Sequence, residues 1–264
     1  YSKLFGLFEQ LQLHGEKLLA APMEVNIWRA PTDNDRKIKL EWMAAGYDRS
    51  RTRAYATTWE TNGESVTIYS TMSVAAVALQ RVLDMEAQWN ISAAGEITVT
   101  MQVKKNMEFP QLPRFGLRLF LKGEYEGLKF YGLGPHESYV DKHRSCSHGL
   151  YETTVAEQHE DYLRPQENGS HTDCDYMMIE REDRTFAAVA PEPFAFNVSY
   201  YTQEELTEKA HNFELEKSGN TVVCLDYAQN GIGSNSCGPE LRKEYRLDQE
   251  TFTFEMKLLF GKEW

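Results

Sequence analysis

Apolar and polar residues alternate along short runs through much of the chain, which is the period of a strand with one buried face. The runs are "ESVTIYS" (64–70), "GEITVTMQV" (95–103), "FGLRLFLK" (115–122), "NTVVCLDY" (220–227) and "TFTFEMKLLF" (251–260). Asn62-Gly63, Ala94-Gly95 and Ser218-Gly219-Asn220 punctuate them at hairpin-like intervals. The pattern predicts an antiparallel all-β fold. Two short helices are predicted beside it. "KIKLEWMAAG" (37–46) sets Ile38, Trp42 and Ala45 on one stripe, with Gly46 placed to end it. "TQEELTEKAH" (202–211) opens with Thr202 and Glu205 in capping-box spacing. Strand-helix alternation does not recur, which excludes a complete TIM barrel or Rossmann fold in this chain.

From Tyr131 to Cys174 the alternation fades and polar groups crowd together. A polar stretch of this length is either an ordered functional loop region or a place where period-2 reading fails. The 264 residues suffice for one large β domain or two ordinary ones. With 28 Lys+Arg against 40 Asp+Glu the formal charge is −12, which argues against a nucleic-acid partner. There is no apolar run of about 18 residues to cross a membrane. The start lacks an initiator Met and a signal-peptide pattern, so a fragment of a longer chain is expected. A cytoplasmic parent is favoured over a periplasmic one. Cys146, Cys174, Cys224 and Cys237 show no CxxC pair and read as free thiols.

Little of the chemistry announces itself. There is no GxSxG elbow, GxGxxG or GxxxxGK[ST]. His136, His143, His148 and His159 lack the i, i+4 pair that sets two metal ligands on one helix face, so no metal site is expected. Asn168-Gly-Ser and Asn197-Val-Ser match the glycosylation sequon. Carbohydrate recognition remains, since carboxylates, amides and Arg bind hydroxyls while aromatic faces stack on sugar rings. Asp33, Asn34, Asp35, His136, Glu137, Arg164, Glu167 and Asn168 are the polar candidates. The segment Arg29–Asp35, "RAPTDND", admits two readings, because Pro, Asp and Asn also simply turn a chain.

Several segments, taken in order, resemble one known family. "EKLLAAPMEVNIWRAPTDND", "YGLGPHESYVDKHRS", "RPQENGSHTDC", "FAFNVSYYTQEELTEKAH" and "GIGSNSCGPEL" cover nearly the whole chain. They are similar to the C-terminal domain of the large β-galactosidases of glycoside hydrolase family 2, including its RAPxDND and GxGPxExYxDR signatures. The resemblance implies that residues 1–264 form a single C-terminal β-supersandwich, two large antiparallel sheets related to galactose mutarotase-like folds. It implies no catalytic residue in this chain. Both carboxylates of a retaining glycosidase would stand on a preceding TIM barrel, behind jelly-roll-like domains, and the family's Mg, Na or Ca ions would bind mainly there. No cofactor is expected here.

The resemblance also makes Arg29, Asp33, Asn34 and Asp35 candidates for a wall of the substrate-site rim, together with Asn235, Ser236 and Cys237. His136, Glu137, Glu167 and Asn168 are further loop candidates. Three departures stand out. Only Arg36–Leu40 separates RAPTDND from the "EWMAAG" (41–46) that resembles the family's next helix, a shorter connection than in loop-bearing members. Cys237 falls where some members carry a sugar-stacking Trp, and Val140 replaces a family Pro. A competing expectation is a free-standing aldose 1-epimerase, with His136, His143 or His171 as acid and Glu137 or Glu167 as base. A non-catalytic carbohydrate-binding module is the third.

Overall fold

The computed structural model describes residues 1–233 and 237–261. A small hairpin, β1 (Gln12–Leu13) and β2 (Glu16–Lys17), leads into β3 (Leu19–Asn26) and helix α1 (Ile38–Ala44). A meander follows through β4 (Arg51–Thr61), β5 (Ser65–Ala75), β6 (Leu83–Ser92) and β7 (Ile97–Lys105). Next come β8 (Arg114–Leu121), β9 (Gly127–Gly134), β10 (Ser147–Thr154), β11 (Ser170–Arg181) and β12 (Arg184–Ser199). Helix α2 (Gln203–Glu208), β13 (Thr221–Gln229) and β14 (Thr251–Gly261) complete the order. The predicted strands and both helices are present. Thr202 Oγ1 accepts from the Glu205 amide at 3.1 Å, the cap that its position foretells.

Strands β3 to β14 form one antiparallel sheet of 12 strands, and β12 is where it branches. Its first part, Thr185–Val189, pairs with β14, and its last part, Ala195–Ser199, pairs with β13. Between them lies Pro191-Glu-Pro193. Proline offers no N–H to a ladder, so the strand drops one partner there and takes up another. One limb continues β14-β7-β6-β5-β4, the other β13-β8-β3, and β11-β9-β10 lies along the opposite edge of β12. The two expected sheets are thus limbs joined through a shared strand.

Between the limbs sits one contiguous core containing Trp42, Trp89, Phe115, Phe130, Phe186 and Phe196. Strand β8 lies so deep that nearly every residue is buried, Arg114 and Arg118 included. The polar stretch 131–174 contains β10, which alternation did not predict. As an edge strand, most of it exposed, β10 had no need of an apolar face.

Candidate functional site

Four loops, scattered over some 200 residues of sequence, are tied into one cluster. They are residues 27–37 after β3, 135–146 after β9, 155–169 after β10, and the segment that follows β13. The first and third meet where the Glu167 amide donates to the Ala30 carbonyl (2.9 Å) and the Asp33 amide to Gln166 Oε1 (3.0 Å). The first and fourth meet where Asn34 Nδ2 donates to the Ile232 carbonyl (2.8 Å). Asp141, from the second, accepts from the amides of Ile232 (2.9 Å) and Gly233 (2.7 Å). A Cβ on Gly231 would stand 2.7 Å from Asp141 Oδ2, so the GIG sequence lets this carboxylate approach the backbone.

Arg29 is wholly buried and holds the RAPTDND turn in place. Its Nε and Nη2 donate to both oxygens of Asp35 (3.1 and 2.8 Å), while Nη1 and Nη2 reach the carbonyls of Asn230 (2.5 Å) and Gly231 (3.0 Å). Asp35 also accepts from the Thr32 amide at 2.9 Å. The fork geometry of guanidinium matches this arrangement, which a lysine could not reproduce.

Beneath the loops lies a second ionic centre. Arg114, from β8, donates to both oxygens of Asp226 on β13 (3.1 and 2.5 Å) and to Glu167 Oε2 (3.1 Å). Ser170 Oγ donates to Glu167 Oε1 (2.9 Å), and Gln229 Nε2 donates to Ser170 Oγ (2.8 Å). Burial alone would weaken the guanidinium's hold on its proton, but Asp226 and Glu167 outweigh it and the pKa lies above the ordinary value. Burial lifts the Asp226 carboxyl to about 6, against the pull of Arg114. At neutral pH the group is ionised and paired.

Glu137 is likewise buried and fully engaged. It accepts from Lys142 Nζ (2.5 Å), Tyr162 Oη (2.6 Å) and the Gly169 amide (2.8 Å). Gly169 has φ 69°, and a Cβ there would lie 2.1 Å from the Gln158 carbonyl oxygen, so glycine is required. His171 packs between Phe130 and Phe196, with ring centroids at 4.3 and 5.3 Å. Its nitrogens lie 3.0 Å from the Leu133 carbonyl and 2.6 Å from Gln158 Oε1. Burial pushes its pKa down to about 4, although Leu133 and Glu137 pull the other way.

The folded chain therefore disfavours protonation of His171, and the stability this group contributes above pH 6.5 is lost as pH falls toward 4. That loss amounts to about 3 kcal/mol. Asp226 runs oppositely, since its raised pKa favours the protonated form and its contribution declines as pH rises from 3.8 through about 6. In wild type the two slopes oppose each other between pH 4 and 6. His171→Asn removes one of them, and urea unfolding should then show the variant losing stability, relative to wild type, as pH rises across that window. Parallel profiles would contradict this assignment.

The sequence-predicted residues divide by exposure. Arg29, Asp35, Glu137, Glu167 and Asn168 are buried, and Asn34 is half-buried. Asp33, His136, His143, Arg164 and Cys237 are exposed, while Asn235 and Ser236 lie outside the described residues. The Asp33 side chain hydrogen-bonds to nothing among the described residues. Both sequon asparagines are engaged within the cluster: Asn168 Nδ2 donates to the Gln166 carbonyl and Asn197 Nδ2 to the Asn168 carbonyl. Cys146, Cys174 and Cys224 are free thiols, and burial pushes that of Cys224 up to about 12.

Sequence reasoning missed Arg114, Asp141, Asp226 and Gln229. A signal existed for two of them, for Arg114 and Asp226 are each a charge set in an apolar strand run. As chemistry, the cluster is a fixed polar wall. Its buried carboxylates are bound to cations or amides, and no free acid/base pair is held among them.

The family described as Beta galactosidase small chain matches residues 1–258. A β-galactosidase of Actinobacillus pleuropneumoniae is 42% identical over 257 residues, covering 97% of this chain and 25% of that protein. One from Staphylococcus xylosus is 36% identical over 260 residues, covering 98% of this chain and 26% of that protein. The chain thus spans about a quarter of the length of the curated relatives it matches. In shape it is similar to the galactose 1-epimerase of Lactobacillus acidophilus, with a TM-score of 0.52 at 9% identity, over 98% of this chain and 89% of the other. At that identity the likeness speaks for the fold, a galactose mutarotase-like one.

Proposed function

Because the chain belongs to the Beta galactosidase small chain family, we propose that its 264 residues are the single C-terminal domain of a retaining, family 2 β-galactosidase. The parent polypeptide hydrolyses terminal non-reducing β-D-galactose residues through a covalent galactosyl intermediate. Its two carboxylates, about 5–5.5 Å apart, stand on a barrel that precedes this domain. The present residues pack on that barrel and shape the rim of its active site, and alone they are inactive. The observation that carries this reading is the loop cluster, where RAPTDND is locked from within by Arg29 and Asp35 while the exposed Asp33 side chain hydrogen-bonds to nothing among the described residues.

The test is Asp33→Ala in the parent enzyme. Its side chain is exposed, so stability should change by no more than about 0.5 kcal/mol. A rim contact to substrate predicts a fall in kcat/KM of about tenfold, worth about 1.4 kcal/mol. Activity and melting temperature falling together would reduce RAPTDND to a turn.

The epimerase alternative finds less support in the geometry. His171 is buried with both ring nitrogens engaged, and Glu137 and Glu167 are already bonded to Lys142 and Arg114. NMR of freshly dissolved α-D-galactose should therefore show the same rate of β-anomer formation with the purified chain as without it. Acceleration proportional to protein concentration would reveal an acid/base pair and favour the epimerase.

A further inference from the structure

The outer face of the β5-β6-β7-β14 limb is polar, hollow and distinct in its residues from the loop cluster. Its outward side chains stand in cross-strand rows, Thr71–Glu86–Gln102–Thr253 and Tyr69–Gln88–Thr100–Glu255. A trough of about 510 Å³ lies over the first row and runs into a hollow of about 320 Å³ over the second, the two sharing Thr71, Glu86 and Gln102. Surface hollows on a sheet are common, so the chemistry of the lining decides what this one can do.

The side chains of Thr71, Glu86, Gln88 and Thr100 hydrogen-bond to nothing among the described residues. Gln102 accepts from Thr253 Oγ1 (3.3 Å) and keeps its amide N–H groups free. Tyr69 is 40% exposed, and its hydroxyl is anchored on Glu60 at 2.9 Å, which steadies the ring. The charges around the trough are largely matched, Asp84 by Arg81 (2.7 Å) and Lys104 by Glu250 (3.9 Å). Glu86 and, in the second row, Glu255 are left as carboxylates without a cation among the described residues. The carboxylates disfavour an anion, and the unbonded hydroxyl and amide groups of Thr71, Gln88, Thr100 and Gln102 suit an occupant rich in hydroxyls. An aromatic face beside free carboxylate and amide groups suits a sugar ring, with its apolar C–H side and polar rim.

We propose that this trough binds a neutral oligosaccharide, Tyr69 stacking on one ring while Glu86, Gln88 and Gln102 take hydroxyls. The first row crosses three strand gaps of ~4.8 Å, or about 14 Å, so a chain of two or three rings fits better than one. The inference stands on the trough and does not depend on the galactosidase reading.

The experiment is a backbone-amide NMR titration of the 264-residue chain with galactose, lactose, cellotriose and xylotetraose. Shifts are expected at residues 69–71, 86–88 and 100–102, with a Kd in the millimolar range or tighter for at least one oligosaccharide and weaker binding of galactose. Tyr69→Ala and Glu86→Ala should each raise that Kd about tenfold while leaving circular dichroism unchanged. Silence of these amides toward all four sugars overturns the proposal, as does a Kd unmoved in both variants. Shifts confined to Asp33 and the 231–233 segment also overturn it, and would place sugar binding at the loop cluster instead.

Discussion

Replacing Arg114 by alanine is expected to lower the unfolding free energy by about 3–5 kcal/mol, measured by urea unfolding at pH 7. The guanidinium is fully buried and neutralises two carboxylates, Asp226 and Glu167, which have almost no contact with water. Without it both must be protonated or bring water into the core, and either route costs far more than the lost packing of the side chain. The burden is not the pair itself but the stranded charge. Arg114→Met combined with Asp226→Leu should therefore recover part of the loss, since apolar groups of similar volume often replace buried pairs without penalty. A single-variant loss below about 1 kcal/mol would mean that the centre is hydrated and weakly coupled.

The second large effect is expected at Arg29. Arg29→Ala removes four hydrogen bonds, two to Asp35 and two to the carbonyls of Asn230 and Gly231, and leaves Asp35 buried without a cation. A loss of about 3–5 kcal/mol follows from the same reasoning. Asp35→Asn should cost a comparable amount, about 3–5 kcal/mol, because the wholly buried Arg29 guanidinium is then left without its anion. Hydrogen exchange separates this site from Arg114. The Arg29 variant should deprotect amides at 231–233 and 35 before the sheet opens, whereas the Arg114 variant should deprotect β8 and β13 together. Uniform loss of protection in both would show that the loops have no integrity apart from the sheet.

These two arginines also mark how far the sequence could be read. Strands such as β5, β7 and β14 were legible because each buries one face, and that constraint writes itself as period 2. Strand β10 was hidden, because an exposed edge imposes no such pattern. The candidate site was legible as motifs but not as geometry. RAPTDND, PHESYVD, RPQENG and NGIG lie far apart along the chain, and only the path of the strands brings Arg29 to Asn230 or Asp141 to Gly233. Which motif residue faces solvent was hidden as well. Asp33 and Asp35 are the same residue type two positions apart, yet a one-turn 3-10 helix at Asp33–Arg36 points one into Arg29 and the other away. Arg114 and Asp226 are each a lone charge in an apolar strand run, and the pairing that explains both spans 112 positions.

Strand β12, with its Pro-Glu-Pro interruption, has a consequence for how the chain folds. The β4–β7 meander contains neighbours in sequence and can form early at little cost in chain entropy. The other limb cannot. Pairing β3 with β8 joins Leu19 to Leu121, and β8 must in turn meet β13 across a further hundred residues. Both limbs are completed only when β12 is in place, since one hydrogen-bonds to its first half and the other to its second. The limbs are therefore not separable folding units, and the shared strand makes the loss of either one felt by both. A chain cut within Pro191–Pro193 would leave two pieces, each lacking half of a strand that the other needs.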